Sequence, residues 1–252
     1  AFRNFMNTTG IILAAGKGTR MRSDIPKVLH YFRGKPFVRS ILETAHSVMG
    51  SVVVVVGFRG DDVVGVLPEG VLVARQENQL GTGDAVRAAL AVVPQETDIV
   101  LVMPGDLPQL EASTLEHLLR VHKAQSFPIT FATVIAPDFL DWRIAFERGG
   151  RIVRDPDGRV LRIVEYKDAT ENERAITEVN VSIYAFKASW LRQYISKIEN
   201  NNAAGEIYLT DLIAIAVAEA GGVTAVPILD IRQGAGVNSP EELHLLEQLH
   251  AD

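Results

Sequence analysis

The alternation of short β-branched runs with segments of helical period, sustained over the first 125 residues, constrains this chain more than any other feature of its sequence. Ile11 to Ala15 is apolar and leads into a Gly-rich loop, after which Pro36 to Met49 places Phe37, Ile41, Leu42, Ala45 and Val48 on one helical face. Ser51 to Val56 and Val71 to Ala74 suit strands covered on both faces, with Asp61 to Leu67 between them as a crossover helix. Gly83 to Val93 gathers Ala85, Val86, Ala89, Leu90 and Val93 on one face, and Ile99 to Met103 is a further buried strand ending in Pro104-Gly105-Asp106. This pattern predicts an α/β fold, a mostly parallel sheet with helices on both faces and ligands at the carboxyl ends of the strands.

The second half is less regular. Ile129 to Ile135, Ile152 to Arg154, Val160 to Tyr166 and Val179 to Phe186 read as strands, with a hairpin turn at Asp155-Pro156-Asp157-Gly158. Helices are expected at Trp190 to Ile198, Thr210 to Glu219 and Ser239 to Leu249. No repeat, low-complexity stretch or Pro-, Gly- or Ser-rich linker divides the 252 residues, so one domain over 1–252 is the simplest organisation.

Composition narrows the function classes. With 47% apolar and 22% charged residues the chain is globular, and runs such as Leu212 to Ala218 fall short of the ~18 needed to cross a bilayer. No membrane partner is expected. A net charge of -6 gives no basic face for nucleic acid, and the absence of cysteine removes disulfides, thiolate zinc sites and cysteine nucleophiles. Residues 1–10 lack a charged segment followed by an apolar core, so no signal peptide is expected; the cytoplasm is the expected compartment, and Met6 is a candidate native start.

Several catalytic motifs are excluded by spacing. The six histidines form no H-E-x-x-H, and there is no G-x-S-x-G. Gly16-Lys17-Gly18-Thr19 is not a P-loop, because Ile11 stands where its first glycine belongs, nor a dinucleotide fingerprint, because Met21 takes the third glycine position. What remains is Leu13-Ala14-Ala15-Gly16-Lys17-Gly18-Thr19-Arg20-Met21, followed by Pro26-Lys27. Small residues at a strand's end let backbone N–H groups approach a triphosphate, and Arg20 and Lys27 add positive charge. A lone Gly-x-Gly would be read as a tight turn; the full arrangement favours phosphate.

With this loop the sequence resembles the sugar-nucleotidyltransferases, most closely the N-acetylglucosamine-1-phosphate uridylyltransferase domain of the bacterial bifunctional enzyme that makes UDP-N-acetylglucosamine. The resemblance runs from Gly10 to about Leu249 through Gln76, Gln79-Leu80-Gly81-Thr82-Gly83, Gly105-Asp106, Gly150-Arg151-Ile152-Val153-Arg154, Glu165 with Lys167-Asp168-Ala169-Thr170, Asn180, Tyr208-Leu209-Thr210-Asp211 and Gly236-Val237-Asn238. It implies a three-layer, Rossmann-like, mostly parallel mixed sheet of the nucleotide-diphospho-sugar transferase type. A nucleotide-binding half would span about 10–125 and a sugar-binding half about 126–250. The sequence contains none of the hexapeptide repeats of an acetyltransferase half, so acetyl transfer is not expected of these residues.

The reaction so implied joins UTP and N-acetylglucosamine 1-phosphate to give UDP-N-acetylglucosamine and pyrophosphate. By resemblance Arg20 and Lys27 are catalytic; Leu13, Ala14, Ala15, Gly16, Gly18, Gln76, Gly81 and Thr82 bind nucleotide; Gly105, Gly150, Glu165 and Asn180 bind the sugar; and Asp106 with Asn238 holds Mg²⁺. Without the resemblance, Asp106 and Asn238 would be turn residues, Thr82 and Thr210 helix caps, and Glu165 the strand partner of Lys167. Four positions depart from the family pattern: Asp84 replaces the usual His, Pro104 an aromatic, Gly149 a Tyr, and Val181-Ser182 a Thr-Gly. Asp84 falls in a first helical turn, where its charge is favoured, but beside a triphosphate it would repel. The alternatives are a related transferase using another sugar 1-phosphate or nucleotide, and a non-catalytic nucleotide-sugar-binding module.

Overall fold

Runs of β-branched residues form strands here because their alternate side chains find cover on two opposite faces. The computed structural model describes residues 7–249; Met6 and the residues before it lie outside that range, as do residues 250–252. β1 (Thr8–Ala14) leads through single helical turns at Thr19–Met21 and Lys27–Leu29 to a short ribbon, β2 (Tyr31–Phe32) and β3 (Lys35–Pro36), then to α1 (Phe37–Val48). β4 (Ser51–Val56), α2 (Gly60–Val64), β5 (Leu72–Arg75), α3 (Thr82–Leu90), β6 (Ile99–Pro104) and α4 (Ala112–Ala124) complete the alternating half. The remainder is β7 (Ile129–Ile135), β8 (Arg151–Arg154), β9 (Val160–Val164), α5 (Glu171–Arg174), β10 (Glu178–Lys187), α6 (Ala188–Tyr194), α7 (Asp211–Ala220), β11 (Thr224–Pro227) and α8 (Pro240–Gln248).

The main sheet has the order β11-β7-β10-β6-β1-β4-β5, with β8 paired to β10 and β9 to β8. β1 is parallel to β4 and β6, placing Leu13 beside Val55 on one side and Pro104 on the other. β10 is antiparallel to both β6 and β7, so it alone along this path runs against its neighbours. Val52, Val54, Val56, Leu101 and Met103 face α1 and α4, while Val53, Val55, Val100 and Val102 face α3, α6 and α7. This period of two, satisfied on both sides, produces the expected three layers.

α1 buries Phe37, Val38, Ile41, Leu42, Ala45 and Val48, as the helical period predicts. Other elements differ from expectation. α2 ends at Val64 rather than Leu67, and Trp190 to Ile198 divides into the end of α6 and a separate tight turn at Ile195–Lys197. β9 stops at Val164, leaving Glu165 just past the strand. α5 is an additional turn of helix, held by a Thr170/Glu173 capping box. No helix among the described residues is long and apolar enough to cross a membrane.

Candidate active site

The carboxyl ends of β1, β5 and β6 open on one cleft, at the point where the chain order reverses about β1. Beyond Ala14 the chain turns sharply, and Gly18 adopts φ +65° so closely against the next turn that a Cβ would lie 2.5 Å from the Cβ of Lys27. Only glycine fits there. The loop is anchored by the Phe58 N–H to the Ala15 carbonyl at 3.0 Å and by the Gly105 N–H to the Leu13 carbonyl at 2.9 Å. Leu13, Ala14, Ala15 and Gly16 therefore line one wall of a cavity of about 380 Å³, across from Gln76, Gly81 and Thr82, with Lys27 and Asp106 at its border. Gly18 and Gly105 shape this wall from behind: Gly18 packs on Lys27, and Gly105 is buried against Leu13 and Val28.

Gln76 follows β5 and is only 6% exposed. Its backbone N–H reaches the Val56 carbonyl at 2.8 Å, while its Nε2 donates to the Gly81 carbonyl at 3.0 Å and to Asp84 Oδ2 at 2.8 Å. Gly81 has φ +117°, and a Cβ there would lie 2.7 Å from the Ile207 carbonyl. Thr82 is not the cap of α3; its hydroxyl accepts the Leu209 N–H at 3.0 Å and ties this loop to the segment before α7. Asp84 occupies the first turn of α3, as the sequence suggests, and its carboxylate is engaged with Gln76.

The charged groups meet where the amino-terminal loop touches the entrance to α8. Lys27 Nζ contacts the Asp106 carboxylate and donates to Asn238 Oδ1 at 2.9 Å. The Asp106 carbonyl accepts the Val237 N–H at 3.0 Å, which fixes the two segments side by side. Asn238 is held from behind by Glu242, whose Oε2 accepts its N–H at 2.7 Å; Ser239 caps α8 and Pro240 opens it. Arg20 lies 3.9 Å from Glu242 Oε1. A carboxylate and an amide oxygen thus converge on one cation, here an ammonium, and such a hard-oxygen pair also suits a small divalent ion. Among the described residues no three His, Cys, Asp or Glu cluster to hold a metal, so one held here would draw its other ligands from substrate and water.

A second cavity, of about 220 Å³, shares Pro104, Asp106 and Ser182 with the first and is lined further by Arg20, Gly149, Gly150, Glu165, Asn180 and Asn238. Burial raises the pKa of Glu165, the Thr210 hydroxyl opposes this by donating to Oε1 at 2.9 Å, and the carboxylates of Asp211, Asp168 and Glu206 push it up further. Thr210 is therefore a partner of Glu165 rather than a side-chain cap of α7. No ion pair joins Glu165 to Lys167 among the described residues. Asn180 lines the cavity with its amide engaged at both ends: Nδ2 donates to the Tyr184 hydroxyl at 2.6 Å and Oδ1 accepts the Ser182 N–H at 3.0 Å. These bonds brace the register shift in β10, where Ser182 takes φ +61°.

Sequence reasoning did not single out Arg151, the most deeply buried charge near the cleft at 1% exposure. Its guanidinium donates to the carbonyls of Glu147 at 2.6 Å, Arg174 at 3.2 Å and Gly149, and lies over the rings of Phe139 and Tyr166, 4.9 and 5.4 Å from their centres. It holds in place the loop that carries Gly149 and Gly150. The run Gly-Arg-Ile-Val-Arg gives no sign of which arginine is inside, since the loop it fastens is supplied by tertiary structure.

Residues 10–139 match the MobA-like NTP transferase domain. The chain belongs to this family. As a MobA-like NTP transferase it is 43% identical over 235 residues to the bifunctional protein GlmU of Lactococcus lactis subsp. lactis, covering 92% of this chain and 50% of that protein. Similarity to GlmU of Mycolicibacterium gilvum is 42% over 245 residues, covering 92% and 47%, and to GlmU of an Exiguobacterium species 42% over 248 residues, covering 97% and 53%. The chain spans about half the length of the curated relatives it matches. The solved structure of CMP:2-keto-3-deoxy-manno-octonic acid synthetase complexed with CTP has a TM-score of 0.66 at 22% identity, covering 97% of this chain and 98% of that one. That likeness bears on the fold alone, and it agrees with the expected three-layer, mostly parallel α/β architecture.

Proposed function

We propose that this chain transfers the uridylyl group of UTP to the phosphate of N-acetylglucosamine 1-phosphate and releases pyrophosphate. The observation that carries the reading is the meeting of two cavities at Asp106, beside Lys27 and Asn238. A nucleotide in the first and a sugar phosphate in the second would bring their phosphates to the same charged point. The resemblance of the motifs to the uridylyltransferases suggests the pair of substrates, similarity to GlmU proteins supports a nucleotidyl transfer, and the proposal covers that reaction alone.

In this scheme a sugar-phosphate oxygen attacks the α-phosphorus of UTP, a new P–O bond forms, and the bond to the β-phosphate breaks as pyrophosphate departs. The attacking monoester is largely dianionic at pH 7, its second pKa being ~6, so no general base is required. Leu13 to Gly16 lay backbone along the phosphates, Gly18 allows that loop to close, and Arg20 and Lys27 neutralise the charge that develops on them. Gln76 and Gly81 read the uracil edge, with Thr82 fixing the loop beside them. Glu165, Asn180 and Gly150 surround the sugar, whereas Gly105, expected beside it, packs against Leu13 and Val28 behind the nucleotide wall. Asp106 and Asn238 would hold Mg²⁺, which when bound lowers the charge on the α-phosphoryl oxygens and orients them. The cytoplasm, which holds free UTP, is the compartment we propose.

A pyrophosphate-release assay across UTP, CTP and dTTP with several sugar 1-phosphates tests the reading. Release is expected with UTP and N-acetylglucosamine 1-phosphate, and chelation should abolish it. No release with UTP, or release unchanged by chelator, would refute the proposal. Preference for glucose 1-phosphate would reassign the acceptor alone.

A further inference from the structure

Resting on the reading of the Gln76 end of the larger cavity as the base site, we propose that Asp84 sets nucleobase selectivity by locking the Gln76 carboxamide in one orientation. A glutamine amide presents one acceptor and one group with two donors, and half a turn about its last bond exchanges them. In this site the exchange is blocked. Nε2 donates to the Gly81 carbonyl at 3.0 Å and to Asp84 Oδ2 at 2.8 Å, and neither oxygen has a proton to return. The Gly81 carbonyl is itself held by the Ala85 N–H at 3.2 Å, the first turn of α3, so it cannot swing away. A reversed amide would set Oε1 against two acceptors, and with Gln76 only 6% exposed little water is at hand to compensate.

Both amide protons are therefore committed, and Oε1 is the atom left for a ligand. A fixed acceptor pairs with the imide N3–H of uracil. Cytosine offers a lone pair at N3, so acceptor would face acceptor. Thymine shares the imide and is not distinguished at this atom. Without Asp84 the amide keeps one protein partner, and the reversed state that suits cytosine becomes accessible. Asp84 is thus a positioning residue, acting on the base through Gln76.

The test is equilibrium binding of UTP and of CTP, by calorimetry, to the wild type and to Asp84→Ala, Asp84→Ser and Asp84→Asn, with circular dichroism to establish folding. The wild type should favour UTP, and Asp84→Ala should lower the UTP-to-CTP affinity ratio by about tenfold or more, because a wrongly paired buried amide is costly. Asp84→Asn keeps the shape but can turn its own amide to donate to a reversed Oε1, so it should lower the ratio too, by less than alanine; Asp84→Ser, whose hydroxyl can likewise donate, serves should the alanine variant not fold. A preference unchanged in the alanine or serine variant, equal weakening of both nucleotides, or a wild type that binds both alike would overturn the role of Asp84. A wild type that binds neither triphosphate would overturn the base-site reading itself.

Discussion

Ser182 stands at the seam of the two cavities with φ +61°, a left-handed conformation that costs a residue with a Cβ about 1 kcal/mol or more. Asn180 Oδ1 supports it through the Ser182 N–H, and Tyr184 steadies Asn180 in turn. Ser182→Gly should therefore raise stability by about 1 kcal/mol, read as a higher urea midpoint with the slope unchanged. An unaltered or lower midpoint would show that the brace already absorbs the strain. Asp106 carries a different kind of consequence. Its side chain faces Lys27 while its carbonyl holds Val237, so Asp106→Ala keeps the backbone link and loses only the carboxylate. The variant should fold and lose about a hundredfold or more in turnover, the usual scale for one charge-stabilising or metal contact. A folded variant with a near-normal rate of pyrophosphate release would move the metal elsewhere.

Elements pass this local chemistry on through what they bury. His122 on α4 is enclosed against β7, with Nδ1 at 3.0 Å from the Thr130 hydroxyl; burial, and then the charge of Lys187, lower its pKa from 6.5 to about 4. The unfolded chain takes up this proton near 6.5 and the folded chain only near 4, so stability is lost as pH falls through that window, by up to about 3 kcal/mol. His122→Gln should lose less stability than the wild type between pH 7 and pH 4.5 in urea titrations; equal losses would assign the acid sensitivity to other groups. At the head of β8, Arg151→Met would strip its carbonyl partners of their donor, at a cost of about 3 kcal/mol or more. Because the Glu147 and Gly149 carbonyls belong to the loop of Gly149 and Gly150, the KM for sugar phosphate should rise more than that for UTP, and an equal rise would leave Arg151 a general structural part. The parallel half was legible in the sequence because strands buried on both faces read as unbroken Val and Ile runs. β11 was not, since its half-exposed Thr-Ala-Val-Pro becomes a strand only by pairing with β7, and the reversed direction of β10 is likewise set by its neighbours. Around the cleft, Thr82, Thr210 and Asn180 fall in motifs visible in the sequence, but their engagement does not: Thr82 and Thr210 bond to Leu209 and Glu165, far along the chain, and Asn180 reaches Tyr184 only across a register shift in β10 that local sequence does not announce.

At the scale of the whole molecule, neighbouring strands β6 and β10 set the two cavities side by side, since Pro104 and Asp106 lie at the end of one and Asn180 and Ser182 within the other. The cleft is closed across the sequence by Lys27 on Asn238 and by the Val237 N–H on Asp106, with the more exposed pairs Arg22–Glu241 and Arg20–Glu242 adding little. Nucleotide and metal would therefore bind at a joint between the two ends of the chain, and their effects on unfolding should be coupled. A ligand at 100 times its Kd stabilises a protein by about 2.7 kcal/mol, which at this size moves Tm by roughly 5–10 °C. UTP alone places its phosphates against Asp106 without a bridging cation, and Mg²⁺ alone has only one carboxylate and one amide oxygen from the protein. Either one should shift Tm slightly, and the two together by more than the sum of the separate shifts. Asp106→Ala should remove this excess while leaving the small shift with UTP alone, whereas Gln76→Ala should weaken the nucleotide effect with or without metal. Additive shifts in the wild type, measured at matched ionic strength, would place metal and nucleotide at separate sites and remove Asp106 from the meeting point of the two halves.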